Sequence, residues 1–279
     1  MGYVDFILNL AGLLLWIKWR SLPFDPIHKR TPATLVGTLR RAAPTYFRRW
    51  HLLAGIGLLL VLRAVFYWQI GPAVHWTGRL DLGVVALSFR SDLFGRILLF
   101  SVFSFGLALG IFYLCLLLVS ILAGQMAKEQ PVHRLVRMQL GAIESWPRWA
   151  KIISPPAVTA LAWGLASWPF AWLHPRPAMS AAHRIEEALV IGLGSYLAWK
   201  FIAAALLVLH LLNTYIYFGR HPFWNYVNAT AQTLLTPLRK IPLRAGKVDF
   251  APVVEIAIIF FAAELAELGL AKFYARLPF

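Results

Sequence analysis

Apolar residues in this chain collect into long runs separated by short polar connections. Five runs, at residues 51–70, 97–123, 157–173, 188–212 and 251–270, have the length and apolarity of helices crossing about 30 Å of hydrocarbon. A shorter run, residues 3–17, carries Asp5 and lacks a basic leading flank, so it predicts a first span or a re-entrant segment and not a secretory leader. Residues 81–90 are too few to span and predict an amphipathic piece resting on the bilayer or covering the bundle.

Two connections carry a second, helical period. The runs at 97–123 and 188–212 each lead into a linker opened by a proline, Pro131 or Pro222, suited to the first turn of a helix. After it, Val132, Leu135, Val136, Gln139 and Ile143 fall on one helical face in the first linker. Phe223, Tyr226, Val227, Thr230 and Leu234 fall at the same offsets in the second. The opposite faces hold Arg134, Arg137 and Gly141, then Asn225, Asn228 and Gln232. Each linker closes near a proline followed by basic residues (Pro147, Arg148 and Lys151; Pro237, Arg239 and Lys240), and Pro156 or Pro252 opens the next span. The pattern predicts a duplicated hairpin: span, interfacial amphipathic helix, returning span.

Composition narrows the class. Of 279 residues, 59% are hydrophobic and 14% charged, against roughly a quarter charged in a soluble domain. The 12 Trp, 19 Phe and 9 Tyr suit a protein with two membrane–water interfaces. A formal charge of +15 raises the possibility of nucleic acid as a partner, but the distribution of the charge favours another origin. Eighteen of the 27 Lys and Arg lie in the alternate connections 18–50, 124–156 and 219–250, and seven on the other side. That is the positive-inside pattern, so basic loops facing the cytoplasm and anionic headgroups are expected, and nucleic acid is not. The single cysteine, Cys115, lies in an apolar run, and the histidines show no metal-ligand spacing. No catalytic residues, metal or cofactor are expected.

The second linker carries Pro222, Phe223, Asn228, Thr230, Pro237, Leu238, Arg239, Pro242, Gly246, Asp249, Ala251, Pro252 and Val253 in a characteristic order. With its flanking spans it resembles the YggT family, also called YlmG, of small integral membrane proteins. The resemblance covers residues 188–270 well and 97–173 loosely. It departs at Thr233, where the family often has a further proline, and at Ala251, where serine is common. It implies a bacterial inner (cytoplasmic) membrane location and a non-enzymatic scaffold, accessory or assembly subunit, partnered by lipids and by another membrane protein or a second copy.

The resulting expectation is an all-α, polytopic membrane protein of five to six transmembrane helices. Residues 1–50 supply the N-terminal hydrophobic segment and a basic cytoplasmic loop, and 51–96 the first strong span and outer loop. Residues 97–173 and 188–279 supply two repeated hairpins with interfacial linker helices. Charges inside the spans are costly and so mark candidate sites. Arg63, Lys200 and Glu264 lie at similar depth, so Arg63 or Lys200 is placed to pair with Glu264, and Glu267 shares its face. A register-fixing ion pair is the first reading. Ion or solute permeation through these residues, or their pairing with another subunit, are the alternatives.

Overall fold

The computed structural model describes residues 2–21, 49–82, 86–122, 131–173, 181–216, 221–240, 243–245 and 248–276. These residues are mostly helical. Four helical segments are long and apolar enough to cross a membrane: Gly2–Ser21, Arg49–Ile70, Phe94–Leu122 and Ala182–Tyr215. The short N-terminal run is thus a full-length helix. Two further helices, Arg148–Leu173 and Ala251–Ala275, have 26 and 25 residues. They contain the expected spans at 157–173 and 251–270 but fall short in apolarity. The first is thinned by Pro155, Pro156 and Pro169 among its tryptophans, the second by Glu255, Glu264, Glu267 and Lys272.

The chain divides into two compact units, one of Met1–Gly78 with Arg90–Leu109, the other of Arg79–Phe89 with Gly110–Phe279. In the first, α1 (Gly2–Ser21) packs along α2 (Arg49–Ile70), and α3 (Phe94–Leu122) contributes its N-terminal half. Gly71 ends α2, its amide bonded to the Tyr67 carbonyl at 2.9 Å. A Cβ there would lie 2.4 Å from that carbonyl oxygen and 2.5 Å from the Ser91 Cβ, so only glycine fits. The tight turn lays Trp76 back on Tyr67, ring centroids 4.2 Å apart, with Phe100 edge-on to both.

Strands β1 (Thr77–Asp81) and β2 (Ala86–Arg90) pair, each alternating between exposed and buried residues. The expected amphipathic piece at 81–90 is therefore strand in its second half, because Leu87 and Phe89 alternate with polar neighbours at period two. A second pair, β3 (Arg244–Ala245) with β4 (Val248–Asp249), is antiparallel. These two small sheets are minor additions to a fold that is otherwise helical, in keeping with the all-α expectation.

The second unit continues through α4 (Pro131–Leu140), α5 (Arg148–Leu173), α6 (Ala181–Gly194), α7 (Trp199–Tyr215), α8 (Pro222–Leu234) and α9 (Ala251–Ala275). Both linkers are helical. A core of Leu117, Val136 and Leu140 seats α4 on α3, and one of Leu207, Ala231 and Leu235 seats α8 on α7. Helix α4 also packs against α8.

Helix α5 keeps its course through adjacent prolines. Pro155 and Pro156 have no amide hydrogen, so the carbonyls of Lys151 and Ile152 lose their helical donors. Ser154 Oγ donates to the Lys151 oxygen at 3.2 Å, and the Tyr196 hydroxyl donates to the Ile152 oxygen at 2.6 Å. Tyr196 sits in a 3-10 turn, Ser195–Ala198, that interrupts the apolar segment between α6 and α7. Gly192 lets α6 approach, since a Cβ there would stand 2.6 Å from the Pro156 oxygen. A break in one helix thus repairs the backbone of its neighbour.

Candidate functional site

Arg63 is at the centre of the first unit's polar network. Its side chain is fully buried, with Nη2 2.6 Å from Asp5 Oδ1 and 2.9 Å from Ser104 Oγ, and Nη1 2.8 Å from Asn9 Oδ1. Asn9 Nδ2 donates to Ser104 Oγ at 3.0 Å, and the Tyr67 hydroxyl donates to Asp5 Oδ1 at 2.8 Å. The guanidinium carbon lies 5.2 Å from the Phe100 ring centroid. Asp5 and Asn9 reach the site together because they stand one turn apart on α1. The expected pairing of Arg63 is corrected: its carboxylate is Asp5. In the sequence Asp5 argues only against a secretory leader; its i, i+4 spacing to Asn9 is the signal that points to a shared polar face.

In the second unit, Lys200 Nζ lies 3.4 Å from Glu267 Oε2 and is the partner of Glu267, not of Glu264. Glu264 is exposed on α9 and has no ionic or hydrogen-bonding partner among the described residues. Glu255 is buried near the start of α9.

A third network lies where α3, α4 and α5 meet. Glu144 Oε1 lies 3.5 Å from His133 Nε2, and Oε2 lies 3.3 Å from Lys151 Nζ and accepts from the Ser120 hydroxyl. Lys151 Nζ also donates to Ser120 Oγ at 2.8 Å. The His133 and Lys151 side chains are buried, and Glu144 is largely so. Sequence reasoning counted Lys151 as a loop charge and passed over Glu144. Around them, both amide atoms of Gln139, the Tyr226 hydroxyl and His133 Nδ1 are buried without a hydrogen-bond partner among the described residues. Burial, reinforced by the Glu144 carboxylate, raises the Tyr226 phenol above its ordinary pKa.

The motif residues of the second linker serve local geometry. Pro222 occupies the first turn of α8, and the Phe223 amide donates to His221 Nδ1 at 3.3 Å. Asn228 Oδ1 lies 2.8 Å from His210 Nδ1, joining α8 to α7. Thr230, fully buried, donates its hydroxyl back to the Tyr226 carbonyl at 2.8 Å. Pro237 and Arg239 fall in the 3-10 turn Pro237–Lys240. Asp249 Oδ1 accepts from the Ala251 amide at 3.0 Å, while the Asp249 amide donates to the Tyr215 hydroxyl at 3.0 Å. Pro252 is buried at the start of α9. Pro242 and Gly246 lie outside the described residues.

Among the described residues, no three His, Cys, Asp or Glu side chains are grouped as ligands for a metal ion. Against protein-family models, curated proteins and solved structures alike, the chain finds no match.

Proposed function

We propose that this protein is an integral membrane scaffold or accessory subunit of the YggT kind, stabilising or recruiting a membrane complex without catalysis of its own. The observation that supports this reading is the pairing of both basic residues placed within the spans, each inside its own unit. Arg63 is spent on Asp5, Asn9 and Ser104, and Lys200 on Glu267. Permeation needs ionisable groups free to exchange with a passing ion; groups tied to fixed partners hold helices in register instead.

Burial supports the duplication. Val136 and Val227, at equivalent linker offsets, are both buried, and Gln139 and Thr230 are both fully buried. The packing around them corresponds likewise: Leu116, Leu140 and Ile143 in one cluster answer to Leu207, Ala231 and Leu234 in the other. In our reading α5 and α9 complete a six-span bundle in a bacterial inner membrane, with the basic connections and both linker helices on the cytoplasmic side.

Purification in mild detergent tests the reading, with a stoichiometric membrane-protein partner as the expected result. A selective ion flux in reconstituted liposomes, abolished by Lys200→Met, would replace it with permeation.

A further inference from the structure

Helix α9 meets the rest of its unit along the side bearing Glu255, Ile256, Ile259 and Glu267. Its other side is exposed among the described residues. Phe261, Leu265 and Leu268 are more than half exposed there, and Ala262, Ala266 and Gly269 lie beside them, also exposed. Lipid would cover such a surface without difficulty, except that Glu264 stands in its middle.

Glu264 follows the first residue of α9 by 13 positions and precedes the last by 11, so each end lies some 16–20 Å away along the axis. No glutamate side chain reaches that far to water. An ionisable group turned to hydrocarbon at such depth costs about 3 kcal/mol on insertion scales. Lys200 does not relieve it, because it is bonded to Glu267 one turn further along α9.

We infer that the face of α9 formed by Phe261, Glu264, Leu265 and Leu268 docks a transmembrane helix of another protein, one that carries a Lys or Arg at the depth of Glu264. The inference rests on our reading of α9 as a span, and it names the chemistry of the scaffold's partner. Charge complementarity selects the occupant. A second copy related by a two-fold axis along the membrane normal brings Glu264 against Glu264 and supplies no counter-charge; lipid supplies none either.

The test uses full-length protein in native membranes, with a photo-crosslinking residue at position 268 and a control at Val158, which is exposed on α5. The expected result is one adduct from position 268. Its mapped peptide is a transmembrane segment with a basic residue within one turn of the crosslink. The adduct falls at least tenfold in Glu264→Gln and Glu264→Ala, persists in Glu264→Asp, and does not form from Val158. A self-adduct, an adduct to lipid alone, a segment without a basic residue, or indifference to Glu264→Gln would overturn the inference. Single cysteines at 262 and 266 in a Cys115→Ser background, probed with a membrane-impermeant thiol reagent, separate the two levels. Labelling from water refutes α9 as a span, whereas protection without the adduct refutes the partner helix alone.

Discussion

Arg63 and Asp5 meet at 2.6 Å although 57 residues separate them in the chain, and the arginine side chain is wholly enclosed. The pair joins α1 to α2, with Ser104 bringing in α3. Removing one member of a buried pair leaves the other charge uncompensated, at a cost of about 3–5 kcal/mol. Asp5→Ala is therefore expected to lower the thermal midpoint in detergent sharply. Asp5→Leu combined with Arg63→Met, which removes both charges, is expected to restore most of it. A double variant as unstable as the single one would mean that the ion pair is not what the single variant loses.

Tyr196 provides a cleaner measurement of one bond. Tyr196→Phe deprives the Ile152 carbonyl of its donor and is expected to destabilise by about 0.5–1.5 kcal/mol. In a Pro156→Ala background, the restored amide of residue 156 takes over that carbonyl, and the same Tyr196→Phe change is expected to cost almost nothing. Denaturant titration of the four proteins measures the coupling, and equal losses in both backgrounds would refute it.

Tyr226 bears on pH. Its phenol is raised in the folded protein, so the folded state keeps a proton that the unfolded chain releases above about pH 10. Stability is then flat through neutrality and falls as pH climbs beyond that point. Tyr226→Phe removes a buried hydroxyl with no partner among the described residues, so at neutral pH it is expected to be neutral or mildly stabilising. The variant should also lose part of the alkaline decline, which thermal melts from pH 7 to 11 resolve.

The two linker helices bury alike but face outward differently. Arg134 and Arg137 are exposed on α4, with Arg148 between exposed Trp146 and Trp149 at the start of α5; the exposed face of α8 offers Asn225 and Gln232. Combined Arg134→Gln, Arg137→Gln and Arg148→Gln is expected to weaken retention of phosphatidylglycerol over phosphatidylcholine by up to about a hundredfold, at about 1 kcal/mol per basic residue. Asn225→Ala with Gln232→Ala is expected to leave it unchanged. Native mass spectrometry of the detergent-purified proteins reports the lipid bound.

The helices and the inward faces of both linkers were legible in the sequence because hydrophobic period is local information. Val136, Val227, Thr230 and Gln139 stand buried where that period puts them. Partners were harder to read. Depth along a span is a single coordinate, and it matched Arg63 and Lys200 to Glu264 without regard to which helices adjoin or which way each side chain turns. The counter-charges lie at Asp5 and Glu267 instead. Tyr196 went unnoticed because its role follows from a hydrogen missing on Pro156, which is visible only when backbone donors are counted one by one. The strand at Ala86–Arg90 lies in plain alternation, but five residues are too few for that alternation to say more than that the piece is amphipathic.

The pairing of Asp5 with Arg63 also bears on how the protein is made. Asp5 leaves the ribosome long before its counter-charge exists, so α1 reaches the translocation machinery carrying a carboxylate that hydrocarbon resists. Its release into lipid becomes favourable once α2 arrives with Arg63. With α1 and α2 read as spans, the first two helices enter the bilayer as a couple, the earlier waiting for the later.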